Sequence, residues 1–506
     1  MEVTVAIRQT PSRSAHSVNP WVVLTLVCMA QFMVVLDATV VNVALPSIKR
    51  GLNFSSSDLQ WIVNAYTLTF GGFLLLGGRA GDLFGRQRIF LAGLAIFSLS
   101  SLVNGFAQSP TMLIVGRAVQ GFGGALISPA ALSIITTTFE EGPRRNKALG
   151  VWSAIAASGA AFGLLIGGIL TQAISWRWAF FVNVPVGVVT IVLAARLVPD
   201  TRVEGDRGVD VLGAVFVTSG LMSIVYALAK AASPGDGWTS PVVLLFGAIG
   251  IALIGLFLFT EARYRAPLVR LSIFRIRSLA TANLAMLLVA GGMFAMFYFA
   301  GLYVQIVLGY SPFKAGLAFL PVCAGIGIGA GVAAQAVKRF DVRAVTCTGL
   351  LIGVTGFLLL QRIGIGSGYV DVLLPPLVIM SLGLGMTFVP LTLVATTTVQ
   401  ADDAGLASGL LNTSQQVGGS LGLAILATLA VNRTNGYLQN LGHAPAVQDT
   451  FAALVQGYRI AFLAGAILLA VGAVVVVAAL RRSDVAGIAA AASAAPALEE
   501  AAQSVA

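Results

Sequence analysis

Long apolar runs recur from one end of the chain to the other, parted by short polar stretches rich in arginine. The first starts at Trp21 and is longer than the core of a cleaved signal peptide, so it reads as a retained helix. Others lie near 59–79, 88–106, 111–138, 147–172, 176–197, 209–230, 241–261, 279–306, 313–336, 343–362, 370–396, 405–432 and 457–480. About twenty apolar residues of helix cross the hydrocarbon, and a helix satisfies its own backbone groups there. The pattern predicts an all-α integral membrane protein of about fourteen transmembrane helices.

An even number of spans puts both termini on one face. The loops on that face carry about 21 lysines and arginines against about 8 on the other, so both termini are expected in the cytoplasm. The loop Gly81-Asp82-Leu83-Phe84-Gly85-Arg86 has a faint counterpart in Lys338-Arg339-Phe340-Asp341-Val342-Arg343. Two six-helix halves, 21–200 and 271–482, are therefore expected around a central cavity, with 201–270 as two inserted helices and their linkers. Residues 1–20 form a polar cytoplasmic segment, and 483–506 an Ala-rich tail without a sustained apolar run.

Composition removes other classes. At 57% hydrophobic and 10% charged residues, the chain is far from the roughly 25% charge of a soluble domain. The net charge of +10 sits in short loops as topology signals, so no nucleic-acid partner is implied. Cys28, Cys323 and Cys347 are scattered without a C-x-x-C pair, and His16 and His443 lack neighbouring ligands, so neither a disulfide framework nor a metal is expected. No phosphate-binding G-x-x-x-x-G-K-[ST] loop occurs, which disfavours an ATP-driven pump and leaves an ion gradient as the energy source, with no cofactor. No helix carries a His, Cys or paired-carboxylate constellation, which argues against an embedded enzyme.

Asp37 is the acidic residue placed deepest within a predicted span. A carboxylate at mid-bilayer costs a few kcal/mol or more, so it should face a cavity or a partner. It either carries a proton or orients Thr39 or Asn42. Arg117 is the matching buried base, charged at any physiological pH. It either acts on a nearby acid and keeps the cavity wet, or donates to helix-end carbonyls. Asp82, Gly85, Arg86 and Arg88 mark a helix junction where a charge cluster can lock one conformation. The cavity should be mostly apolar with a few polar points, drawn from Gln31, Asn64, Tyr66, Asn283, Tyr298, Gln305, Asn412, Gln415 and Gln416.

The motifs resemble those of the major facilitator superfamily, specifically its fourteen-helix drug:proton antiporters, along about Trp21 to Leu480. Leu36-Asp37-Ala38-Thr39-Val40-Val41-Asn42-Val43-Ala44-Leu45-Pro46 is similar to the first-helix signature of those exporters, and Gly78 to Arg88 to the superfamily loop motif, with Leu83 and Gln87 at commonly basic positions. Arg117, Gln120, Gly121 and Gly123 resemble the motif associated with proton coupling. Gly150, Gly159, Gly163, Gly167 and Gly168 stand at antiporter-motif spacing, with Leu164 where the family has proline, and should let a neighbouring helix approach closely. Trp176-Arg177-Trp178-Ala179-Phe180-Phe181-Val182-Asn183-Val184-Pro185 and the segment 404–422 extend the match. The resemblance implies export of small hydrophobic drugs or antibiotics across the cell membrane in exchange for protons, with the lipid bilayer, the substrate and protons as partners and a monomer sufficient. A dedicated metabolite exporter or a proton-coupled uptake facilitator is the alternative that Leu164 keeps open.

Overall fold

The computed structural model describes residues 19–140, 142–201, 210–231, 237–264, 267–399, 403–441 and 443–481. Most of the segment 1–20 and the tail from 482 lie outside these, as do Arg202, Arg207 and Arg265. Among the described residues, thirteen helices are long and apolar enough to cross a membrane: α1 Pro20–Leu52, α2 Trp61–Phe84, α3 Arg86–Gly105, α4 Pro110–Thr138, α6 Trp178–Leu197, α7 Val211–Ala231, α8 Pro241–Arg263, α9 Arg277–Val307, α10 Pro312–Ala336, α11 Val342–Arg362, α12 Tyr369–Thr397, α13 Gly405–Gln439 and α14 Val447–Ala479. Helix α5, Pro143–Ala173, has Ser158–Ala173 as its continuous apolar part and completes the set of fourteen.

Local chemistry sets several starts. Asn19, Ser109, Ser240 and Ser311 each accept a backbone N–H from the first turn and are followed at once by proline, whose missing N–H costs nothing there. Several boundaries differ from the expectation, since Arg433 and Arg459 among others lie within helices, and the first is at the end of α1. Lys49 and Arg50, counted as loop residues, belong to the last turn of α1, which runs on through Pro46 to a left-handed cap at Asn53. Their charges sit at the carbonyl end of the helix, and Lys49 Nζ donates to Ser56 Oγ at 2.7 Å.

The two halves repeat one packing plan. In the first, α1 packs on α5 and α6, and α4 on α2 and α3; in the second, α9 packs on α13 and α14, and α12 on α10 and α11. The short hinges tie each half to its last helix in the same way. Gln87 Nε2 donates to the Ala194 and Ala195 carbonyls of α6 at 3.1 and 3.2 Å, and Arg343 Nη2 to the Val477 carbonyl of α14 at 2.5 Å.

The halves meet along two seams that the repeat makes equivalent, α2 with α13 and α5 with α10. The inserted hairpin breaks that equivalence. Helix α7 packs on both α2 and α13. Trp61, Ala65 and Leu68 of α2, Leu221 and Val225 of α7, and Ala424 of α13 form one apolar cluster, and Thr428 Oγ1 donates to the Leu228 carbonyl at 2.8 Å. Helix α8, with only 11% of its most apolar window buried, rides outside α7.

Candidate functional site

Asp37 and Arg117 form a buried ion pair. Arg117 Nη1 lies 2.5 Å from Asp37 Oδ2, at 1% and 0% side-chain exposure. The other carboxylate oxygen, Oδ1, accepts from Gln120 Nε2 at 2.8 Å and from Asn183 Nδ2 at 2.9 Å. Ser101 Oγ lies within reach of the same two amides, at 3.2 and 3.0 Å. Gln120 Oε1 accepts from Arg117 Nη1 at 2.9 Å and from Asn104 Nδ2 at 2.8 Å. The guanidinium also donates through Nε to the Ile62 carbonyl at 3.0 Å and rests 4.2 Å from the Tyr66 ring centroid. Five helices thus converge on one carboxylate, which sits mid-way along α1. Thr39 and Asn42 bond to carbonyls of their own helix and not to Asp37. Arg117 is at once the partner of an acid and a donor to a carbonyl in the first turn of α2.

The sequence builds this locally. A Cβ on Gly121 would strike the Tyr66 carbonyl, so glycine there lets α4 lie against α2 with Arg117 one turn away. Pro185 has no N–H to offer the Phe181 carbonyl, and α6 is interrupted at Val182, just before Asn183. The interruption delivers the Asn183 amide to Asp37. Asn183, Ser101 and Asn104 were not among the expected site residues; the proline two residues after Asn183 is the signal that marks it.

The hinge cluster divides into two pairs. Asp82 takes Arg86 at 3.0 Å, whereas Arg88 pairs with Asp200 beyond α6 at 2.9 Å. Gly85 has φ +105°, and a Cβ there would meet the Asp200 carboxylate. All of these contacts stay within the first half.

The α5 glycines also divide. Gly159, Gly163 and Gly167 pack on α1 of their own half, Gly163 against Thr39 and Leu36 beside Asp37. Gly168 alone of the five reaches the other half, where a Cβ would come within 2.8 Å of Phe313 Cα. Gly150 faces open space, so the expectation of close packing fails there.

The expected cavity residues separate by burial. Asn64, Tyr66, Asn283 and Tyr298 are buried between helices rather than lining a cavity. Tyr66 lies under the Arg117 guanidinium, and Asn283 Oδ1 accepts from Ser414 Oγ at 2.7 Å. Gln31, Asn412, Gln415 and Gln416 are half-buried. Gln31 accepts from Ser128 Oγ at 3.1 Å, while Asn412, Gln415 and Gln416 make no side-chain hydrogen bond among the described residues.

Four hydrogen bonds join the halves among the described residues. At the end away from the termini, Gln305 Nε2 donates to the Val43 carbonyl at 3.0 Å, and the Phe313 N–H to Gln172 Oε1 at 3.2 Å. Along the α2/α13 seam, Thr413 Oγ1 donates to the Gly71 carbonyl at 3.3 Å and the hydroxyls of Thr67 and Ser420 meet. Only a narrow crevice without room for a water remains beside the Gln305 contact, between Asn42, Val43 and Leu164 on one side and Phe297, Gly301 and Phe319 on the other. The far end is closed.

The sequence profile described as Major Facilitator Superfamily matches residues 27–423. The chain is 40% identical over 474 residues to a puromycin resistance protein, pur8, of Streptomyces alboniger, covering 92% of this chain and 93% of the relative. It is 40% identical over 428 residues to a cephamycin export protein, CmcT, of Amycolatopsis lactamdurans, covering 84% and 88%. Among solved structures, a bacterial homologue of the human lysosomal transporter Spinster, inward-facing and unoccupied, shares the fold with a TM-score of 0.66 at 18% identity, over 92% of this chain and 98% of that one.

Proposed function

The chain belongs to the major facilitator superfamily, and from that premise we propose that it exports small hydrophobic antibiotics or drugs in exchange for protons, by alternating access. It is a multi-pass membrane protein; the arginine-rich face that bears the termini is assigned to the cytoplasm and the membrane to the cell boundary. Two relatives whose names record antibiotic resistance and export support the substrate class.

The observation that carries the proton half of the proposal is the buried Asp37–Arg117 pair. A carboxylate accepts at all of its lone pairs, while a carboxylic acid gives up an acceptor position to its own O–H. A proton arriving at Asp37 therefore displaces one of the donors supplied by Arg117, Gln120 and Asn183, and frees α1 from α4 or α6. Less than two turns farther along α1, the Val43 carbonyl holds Gln305 of the second half. The protonated acid and the far-end closure thus lie on one rigid element. With the far end shut, substrate enters from the cytoplasmic side toward Asn412, Gln415 and Gln416, and proton loading at Asp37 belongs to the opposite opening.

Inside-out vesicles with an acidified lumen are expected to release protons when a panel of lipophilic compounds is added, and to take up the compound that triggers release. Demonstrated transport with no proton movement for any compound would refute antiport.

The α2/α13 seam has a separate test. In a chain freed of Cys28, Cys323 and Cys347, the pair Thr67→Cys and Ser420→Cys is expected to form a disulfide on mild oxidation and to bring transport close to zero, with recovery on reduction. Full activity of the oxidised, cross-linked protein would show that this seam does not open.

A further inference from the structure

Asp210, just before α7, and Glu261, in the last turn of α8, are buried at 2% and 3% exposure and take no part in the site around Asp37. Antiparallel register brings them face to face. Gly220 of α7 faces Gly250 and Ile254 of α8, and Gly250 faces Ile224 in return. About ten residues back along α7 from Gly220 is matched by about ten forward along α8, because both helices rise equally per residue. That step sets Asp210 against the turn that holds Glu261, and Asp210 is the charged side chain that acts on Glu261.

Each carboxylate is half satisfied. The Gly213 N–H donates to Asp210 Oδ1 at 2.8 Å, and the Val269 N–H to Glu261 Oε2 at 3.2 Å. Asp210 Oδ2 and Glu261 Oε1 are buried without a hydrogen-bond partner. Among the described residues, the charges on neighbouring elements are engaged elsewhere or do not reach them. Arg263 lies over the Phe259 ring at 4.2 Å, Arg270 pairs with Asp403, and Arg277 donates to the Ala478 and Ala479 carbonyls. On α2, Asp82 pairs with Arg86, and Arg79 makes no ion pair with either carboxylate among the described residues. Arg275 and Tyr264 are exposed.

Two facing buried carboxylates repel when both are ionised. A single proton on one orphan oxygen donates to the other, which satisfies both atoms at once in a short charge-assisted bond. We propose that Asp210 and Glu261 hold one proton between them, a second protonation site at the terminus-bearing end of the inserted hairpin. The proton comes from the water on that face and returns to it; only an O–H bond forms. The shared proton clasps the start of α7 to the end of α8. Through Val269 it reaches the strand of chain whose next residue, Arg270, grips Asp403 at the head of α13. Loss of the proton loosens the link between the hairpin and the second half.

Infrared difference spectra recorded during a pH titration of the full chain in lipid vesicles read the site directly. Asp210→Asn and Glu261→Gln are each expected to abolish the same protonated-carboxyl band, while Asp37→Asn keeps it. The double variant is expected to lose no more than either single one. The amides retain the backbone contacts and supply a fixed donor, so folding is preserved; Glu261→Asp is expected to shift the band rather than remove it. Separate bands lost singly, no band lost, or a band that appears only after a divalent-cation chelator is added would each overturn the proposal, the last by assigning the pair to a metal.

Discussion

Arg117→Leu is expected to destabilise the folded protein by about 3–5 kcal/mol, the usual cost of breaking a buried ion pair by removing one partner. The reason lies in what stays behind. Asp37 is wholly enclosed, and without the guanidinium its Oδ2 loses its charged partner while Gln120 and the Ile62 carbonyl lose a donor. Asp37→Asn in the same chain removes the stranded charge, so the double variant is expected to recover more than half of the loss while remaining inactive. Thermal unfolding in detergent of the parent, both single variants and the double variant makes the cycle. Losses that simply add would mean that the two residues stabilise the protein independently.

Asp37→Asn alone is expected to abolish uphill export and leave movement down a gradient. One charge crossing 100 mV is worth about 2.3 kcal/mol, roughly fiftyfold accumulation of a neutral compound per proton exchanged. Under the proposed exchange an asparagine has no carboxylate to receive the proton, so its steady-state ratio is expected to fall to about one while equilibrium exchange of labelled substrate persists. An amide has one acceptor oxygen where the carboxylate has two, so either Arg117 or the pair Gln120 and Asn183 would face its NH2, the same loss of an acceptor that a proton on Asp37 causes. Accumulation equal to that of the parent would remove Asp37 from the coupling path.

Much of this was legible along the chain. The apolar runs give the spans because lipid leaves the backbone no alternative, and Asp37 and Arg117 stand out as lone charges far from any loop. Their meeting was not legible: they lie 80 residues apart on different helices, and which face each helix turns inward is set by packing at positions such as Gly121. Asn183 was hidden for another reason. It reads as an unremarkable amide in an aromatic stretch until the proline that follows is seen to interrupt α6. The glycines of α5 were expected to let a neighbouring helix approach closely, and three of them serve α1 while one serves the other half, since spacing shows that one face is bare but not which neighbour uses it. Asp210 and Glu261 fall at the ends of the runs 209–230 and 241–261, where burial cannot be read from the sequence; the pairing of α7 with α8 buries them.

The apolar cluster shared by α2, α7 and α13 makes the two seams mechanically unequal. A rocking motion in a twofold arrangement would open both seams alike, but here one is bound along its length by a third helix, as pages are by a spine. The freer α5/α10 seam must take the larger excursion, and the axis of motion lies off the molecular centre, toward α7. A rigid ligand wedged at the α5/α10 seam would therefore arrest the cycle at lower occupancy than the same ligand placed beside α7.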